Sequence, residues 1–423
     1  MRANLNPDTE LAERLFADLQ MATASPSGRG VTRDAYGPGE EKAHAIVIKA
    51  AERLGLEIAH DQARNLLMTL PGRDRTAKRI ILGSHLDSVW EGGNFDGAAG
   101  VLAGLAAVAG MRKADFVPEF DISVLAIRSE EAGSWFPTSY PGSRAAIGRL
   151  PAEALQVRRQ DTGRTLADHM RDVGGNPEAV AAGQTLLPPE TIDCYVEVHI
   201  EQGPVLDALS VPVGIVTGIP GARRLRTGRV LGAYNHSGAT PRRYRADAAM
   251  ALAELAFRLD ETWARLESQG HALVCTFCVL GTTPEAGFTK IPGEAVFQLD
   301  IRSVDPRSTA AMFVELHRLM AEIASRRGVI FAPGPETVSA PSPMDKTLQE
   351  ALARAAKALG IRCHAMASGG GHDAAAFAQV GIPSAMLFVR NQNGSHNPDE
   401  AMRMEDFAAV TAVLTRFVAD RTA

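Results

Sequence analysis

The sequence predicts an α/β protein, a doubly wound sheet interrupted by a smaller α+β unit. Three observations carry this. Apolar runs at 80–82, 121–127 and 194–200 each end in polar residues, as buried strands of a parallel sheet do. Near residue 210 the texture changes to a β-β-α-β-β-α order, that of an open-faced sandwich. After Pro333 to Pro343 the α/β rhythm returns. Two domains suit 423 residues. The expected division is 1–210 with 330–423, and 211–329 inserted.

Taken in order, residues 7–25 read as a helix, apolar at Leu11, Leu15, Phe16 and Leu19. Residues 39–55 read as a second, with Ile46, Ile48, Ala51 and Leu54 on its apolar stripe. A strand at 63–70 stops at Pro71-Gly72. The strand beginning at Arg79 runs into a polar loop, and a small-residue helix covers 97–108. Residues 134–190 are mixed. In the inserted unit, 211–217 and 225–231 read as strands of a different sheet. A helix at 245–268, strands at 272–280 and 294–301, and a helix at 306–327 follow. The α/β part resumes with a helix at 345–359, strands at 361–366 and 384–389, and a last helix from Glu405.

Composition is that of an ordinary globular protein, 45% hydrophobic and 22% charged. The net charge is -5 with no basic block, so nucleic acid is not an expected partner. The N-terminus has no apolar signal core, and no apolar run approaches about 18 residues, so no membrane span is expected. A cytoplasmic location follows by default. Of four cysteines, Cys275 and Cys278 fall in one strand, where positions i and i+3 face opposite sides; structural thiols are the expected reading.

The chemistry gathers at four strand ends. They carry His85, Asp87 and Asp96; Glu130 and Glu131; His199; and His396. In open α/β sheets, ligands bind outside the carboxyl ends of the strands, so the fold brings these groups together. Imidazole and carboxylate without thiolate suit Zn²⁺, Mn²⁺, Co²⁺ or Ni²⁺ at a hydrolytic site. Three His and two carboxylates exceed what one tetrahedral ion with an open position uses. They suit two ions sharing a carboxylate. Adjacent glutamates allow one to ligate and the other to act as base.

These residues carry a resemblance. Gly83-Ser-His-Leu-Asp-Ser-Val89, Asn94-Phe-Asp-Gly97, Glu130-Glu131, Val198-His-Ile-Glu-Gln-Gly-Pro204 and Gly394-Ser-His-Asn-Pro398 resemble the dinuclear amidohydrolases of the M20 metallopeptidase superfamily. Within it the chain is similar to the N-carbamoyl-L-amino-acid hydrolase, β-ureidopropionase and allantoate amidohydrolase branch. His-Ile-Glu-Gln-Gly-Pro is the branch signature, since many peptidase relatives have an acidic ligand where this chain has His199.

The resemblance implies an aminopeptidase-like catalytic domain with an inserted lid and dimerisation domain. It implies two divalent ions per subunit, Zn²⁺ first, with Mn²⁺, Co²⁺ and Ni²⁺ as alternatives. His85, Asp96 and His199 would hold one; Asp96, Glu131 and His396 the other. Asp87 would accept from the His85 ring, and Glu130 would shuttle the proton. Asn235-His-Ser-Gly-Ala-Thr-Pro241 looks like the family segment whose His reaches the partner subunit's site, so His236 is a catalytic and substrate-binding candidate in a homodimer. Arg302 and Gln202 match substrate-binding positions, for a small ureido or amide substrate bearing a carboxylate. Thr289 stands where relatives have Asn at the substrate carboxylate. Trp135 and Arg242 are further departures.

The expected reaction is hydrolysis of an N-carbamoyl-L-amino acid, or N-carbamoyl-β-alanine, to amino acid, CO2 and ammonia. The alternative substrate is allantoate or a ureidoglycine-type compound. An aminoacylase or dipeptidase is disfavoured by His199. A non-catalytic binding protein predicts a missing ligand or base, and none is missing.

Overall fold

A computed structural model describes residues 5–131 and 133–422. The chain forms two compact units, one from residues up to Thr217 and from Pro343 on, the other from Gly218 to Ser342.

The larger unit is built on an eight-stranded sheet. Its order is Glu57–His60, Leu66–Leu70, Ile122–Ile127, Arg79–His85, Ile192–Ile200, Ser384–Val389, Val213–Val216 and Cys363–Met366. The four strands from Ile122–Ile127 to Ser384–Val389 are parallel. Nearly every residue on them is buried, which is why they read as unbroken apolar runs rather than alternating ones. The edges mix direction: Leu66–Leu70 and Val213–Val216 both run antiparallel to their inner neighbours.

The helix Ala98–Lys113 is buried at every residue from Ala98 to Met111. It touches the Arg79–His85 and Ile192–Ile200 strands on one side and the helices Thr9–Thr23 and Met404–Arg421 on the other. Its small residues permit this. At Gly100 a Cβ would lie 2.1 Å from the Val198 carbonyl oxygen, so only glycine lets the helix come so close to the sheet. The helix is fed by the Asp96 loop, and it thereby seats that loop over the strand ends.

The smaller unit has an antiparallel sheet in the order Val274–Thr282, Glu294–Ser303, Gly221–Leu231, with Ile330–Ala332 and Glu336–Ser339 both pairing with Gly221–Leu231. Helices Ala248–Ser268 and Pro306–Arg327 pack together, and Leu252, Leu255, Leu259, Leu316, Leu319 and Ile323 join its core. This is the α+β unit expected, with displaced limits. Val213–Val216 belongs to the large sheet, not to a different one. Its four residues are all buried, and such a run looks the same whichever sheet it joins. The boundaries therefore fall at 217/218 and 342/343 instead of 210/211 and 329/330. The strands after 329 are short and mostly exposed, so they lack the apolar signal by which a strand is read.

All four cysteines are free; Cys194 is buried, Cys275 half-buried and Cys278 exposed. Among the described residues no helix is long and apolar enough to cross a membrane.

Candidate metal centre

Eight of the expected site residues meet at the carboxyl ends of the parallel strands in the larger unit. His85 closes one strand, Glu130 and Glu131 follow the next, His199 lies near the end of Ile192–Ile200, and His396 follows Ser384–Val389. Asp96 stands between them on its loop. Its Oδ1 lies 3.0 Å from His199 Nε2 and 3.6 Å from His85 Nε2. Its Oδ2 lies 3.5 Å from His396 Nε2, which is 3.3 Å from Glu131 Oε1. Two sets able to hold an ion, His85/Asp96/His199 and Asp96/Glu131/His396, thus share one carboxylate.

The donor chemistry fits cations. His85 Nδ1 lies 3.0 Å from the Asp87 carbonyl oxygen and His199 Nδ1 2.9 Å from that of Ile200. A carbonyl only accepts, so both Nδ1 atoms carry hydrogen and both Nε2 lone pairs turn inward. These two Nε2 atoms face each other at 3.3 Å. Asp96 Oδ1 is buried beside them without a hydrogen-bond partner among the described residues. Two lone pairs and an orphaned carboxylate oxygen at this spacing are what a shared cation satisfies. Burial opposes charge on Asp96, yet His199 and His85 hold its carboxyl well below the usual range. Burial likewise opposes charge on His85, but Asp87 and Asp96 raise it well above the ordinary value. The carboxylates gathered here thus favour positive charge among them, which a bound cation supplies.

Asp87 keeps its expected neighbour, its Oδ1 lying 3.4 Å from His85 Nδ1, and does more besides. Its carboxylate accepts the backbone N–H groups of Glu130 (2.9 Å) and Glu131 (3.0 Å), while its carbonyl makes the closer contact to the His85 ring. It thus fixes both glutamates and the imidazole together. Glu130 Oε2 lies 3.8 Å from His85 Nε2. Burial pushes the Glu130 carboxyl well above its usual range, and Asp373, Glu131 and Asp87 push the same way against His85. Gln202 donates its amide to Asp96 Oδ2 at 2.8 Å.

Gly97 makes the arrangement sterically feasible. It has φ +64°, and a Cβ there would lie 2.3–2.5 Å from three atoms of the His85 ring. Only glycine serves both demands.

Residues 81–420 match the profile of peptidase family M20/M25/M40. The chain belongs to this family. Among its M20 relatives, an N-carbamoyl-L-amino acid amidohydrolase of Geobacillus stearothermophilus is 36% identical over 405 residues, 96% of each chain. A probable allantoate deiminase of Oryza sativa subsp. japonica is 33% identical, covering 90% of this chain and 82% of that one. The crystal structure of a hydantoinase/carbamoylase family amidase from Burkholderia ambifaria superposes with a TM-score of 0.87 at 32% identity, over 99% and 98% of the two chains. The chain lies in the carbamoylase and allantoate amidohydrolase branch of M20.

His236, Thr289 and Arg302 lie in the smaller unit. His236 is exposed on a two-residue strand paired with Lys290–Ile291, and the Thr289 backbone carbonyl accepts the Ser237 N–H at 2.9 Å. His236 Nδ1 accepts N–H groups from Gly238 and Ala239, both at 3.1 Å, so the ring hydrogen sits on Nε2. Arg302 lies on Asp300 Oδ2, at 2.8 Å from Nη2. Trp135 is buried, donates to the Ser88 carbonyl at 2.8 Å and carries the Arg159 guanidinium over its ring. Arg242 is exposed in a short 3₁₀ turn.

Several supporting residues escape sequence reasoning. Glu400 accepts the N–H groups of Phe95 (2.9 Å) and Asp96 (3.1 Å), and Ser395 bridges its carboxylate to Asp96. Fully buried Arg33 donates to the carbonyls of Leu86, Asn94 and Asp96 and to Asn94 Oδ1. Glu400 follows Pro398-Asp399 and Arg33 precedes Asp34, in polar stretches where a charge carries no signal of burial.

Proposed function

We propose that this chain is a metal-dependent amidohydrolase that cleaves the ureido C–N bond of an N-carbamoyl-L-amino acid, using two divalent ions and acting as a cytoplasmic homodimer. The observation that carries the reading is Asp96 shared between two ligand sets, with Glu130 beside them and outside both. The name of the Geobacillus relative supports the substrate class. Four free thiols suit a reducing compartment.

When bound, the two ions supply Lewis acidity for a carbonyl and acidify a water. The other steps belong to the chain. Glu130 takes a proton from the attacking water and returns it to the leaving nitrogen. Burial raises its proton affinity, so the carboxyl can hold the proton between the two transfers. Asp87 keeps Glu130 aimed through its backbone. Arg302 binds the substrate carboxylate, with Thr289 supplying a hydroxyl where relatives have an amide. Gln202 faces the ureido group. His236 donates its Nε2–H to the developing oxyanion, contributed from the partner subunit. One water and one carbamoyl amino acid give amino acid, CO2 and ammonia.

A second reading keeps the chemistry and changes the substrate to allantoate, favoured by the rice relative. Ammonia release from N-carbamoyl-L- and D-amino acids, N-carbamoyl-β-alanine and allantoate, after loading with Zn²⁺, Mn²⁺, Co²⁺ or Ni²⁺, separates the two. Acetylated amino acids and dipeptides serve as controls; cleavage of these alone would sink the ureido reading. Glu130→Gln is expected to keep its metal and lose about 10²–10⁴-fold in kcat. Glu131→Gln is expected to lose metal.

A further inference from the structure

The turn that presents Glu130 and Glu131 is shaped by side chains. Four successive backbone N–H groups donate to side-chain oxygens: Arg128 to Asn65 Oδ1 (2.9 Å), Ser129 to Glu40 Oε1 (3.0 Å), and Glu130 and Glu131 to the Asp87 carboxylate. Ser129, the bend of this turn, has φ +58°, a left-handed conformation that a residue with a Cβ adopts only when held. Its own hydroxyl is buried with no hydrogen-bond partner among the described residues, so it does not hold itself.

Glu40 is the group placed to hold it. It opens the helix Pro38–Arg53 and is fully buried. Its second oxygen, Oε2, accepts the Tyr36 N–H (2.7 Å) and Arg128 Nη1 (2.9 Å). Arg128 is secured further by the Arg64 carbonyl at 2.7 Å and by Glu41 at 2.6 Å. Three donors thus converge on two oxygens, and only a carboxylate presents acceptors at both ends. A glutamine of the same shape would turn an NH2 toward Ser129 or toward Arg128 and Tyr36, donor against donor.

We propose that Glu40 is a positioning residue for hydrolysis: its carboxylate holds Ser129 in the left-handed turn and so presents Glu130 as base and Glu131 as metal ligand. It lies outside residues 81–420, which carry the family match. The inference rests on the metal-centre reading above.

The test compares Glu40→Gln, Glu40→Asp and Glu41→Gln in the full-length protein. The readouts are Zn²⁺ affinity by competition with a chromophoric chelator, Tm, and kcat and KM at saturating Zn²⁺. Glu40→Gln is expected to lower Zn²⁺ affinity by about 10–100-fold and kcat by at least about 10-fold, with KM within about twofold. Glu41→Gln takes a carboxylate from the same guanidinium without touching Ser129; it is expected to lower Tm alone. Glu40→Asp, one methylene short of Ser129, is expected to fall between them. Zn²⁺ affinity and kcat of Glu40→Gln within about twofold of wild type, or no different from Glu41→Gln, would overturn the proposal. Should Glu40→Gln not fold, Glu40→Asp decides by the same comparison. A wild type that takes up no divalent ion overturns the metal reading itself, a result separate from wild type and Glu40→Gln binding equally well.

Discussion

Gly97 ties two requirements to one missing methyl group. Its φ of +64° turns the chain from Asp96 into the buried helix, and its Cα edge leaves room for the His85 ring. Alanine there pays for the left-handed backbone with about 1–2 kcal/mol and must also push the imidazole away. Gly97→Ala is therefore expected to lower the melting temperature and to weaken metal binding at the His85 set more than its stability loss explains. A chelator competition run well below the melting temperature checks this. Full metal affinity would mean that His85 is not held by that contact. The candidate ligands are legible in the sequence because each stands at, or in the loop after, the carboxyl end of an apolar run. Arg33, Glu40 and Glu400 are not legible. Each is an ordinary charge in polar sequence, and each becomes buried only through partners far along the chain, such as Leu86, Ser129 and Asp96.

The helix Pro38–Arg53 shows what an element-scale reading captures and what it loses. Its apolar stripe marks it as a packed helix, and the structure begins it one residue before the expected start and ends it two residues before the expected end. The stripe says nothing of the polar groups it buries, Glu40 and His44. Both ring nitrogens of His44 are buried without hydrogen-bond partners among the described residues. Burial lowers its pKa well below the ordinary value, and the charges of Arg128, His60 and Arg64 act the same way. A group with a depressed folded pKa stabilises the fold above its unfolded pKa, about 6.5, and loses that contribution as pH falls. A neighbouring carboxyl works oppositely. Burial pushes Asp61 up to about 6, so its protonation favours the folded state as pH drops through that value. The His44 component is isolated by difference. The stability of wild type relative to His44→Leu is expected to fall by up to about 1.4 kcal/mol per pH unit below 6.5. Denaturant melts of both proteins at pH 7 and pH 5 measure it. A difference that stays constant would mean that His44 accepts a proton without unfolding.

At the scale of the whole molecule, the proposed chemistry is divided between the two units: Glu130 and the ligand sets in one, His236 and Arg302 in the other. The tautomer of His236 leaves an exposed Nε2–H with its Nδ1 already engaged by its own loop, a donor arranged to reach outward. If that donor serves the partner subunit, activity must complement between two inactive proteins. Glu130→Gln lacks the base but keeps His236; His236→Ala lacks the donor but keeps the base. In a mixed dimer, the site with an intact Glu130 receives an intact His236, and the other site receives neither. Random pairing makes half the dimers mixed, with one working site in two, so co-expression of equal amounts is expected to restore about a quarter of wild-type kcat. Each variant alone is expected to stay near background. Steady-state ammonia release from the co-expressed mixture, with size-exclusion chromatography to establish the dimer, measures it. Activity no greater than the average of the two variants would place His236 within its own subunit's site, and the smaller unit would then act by closing on its own chain.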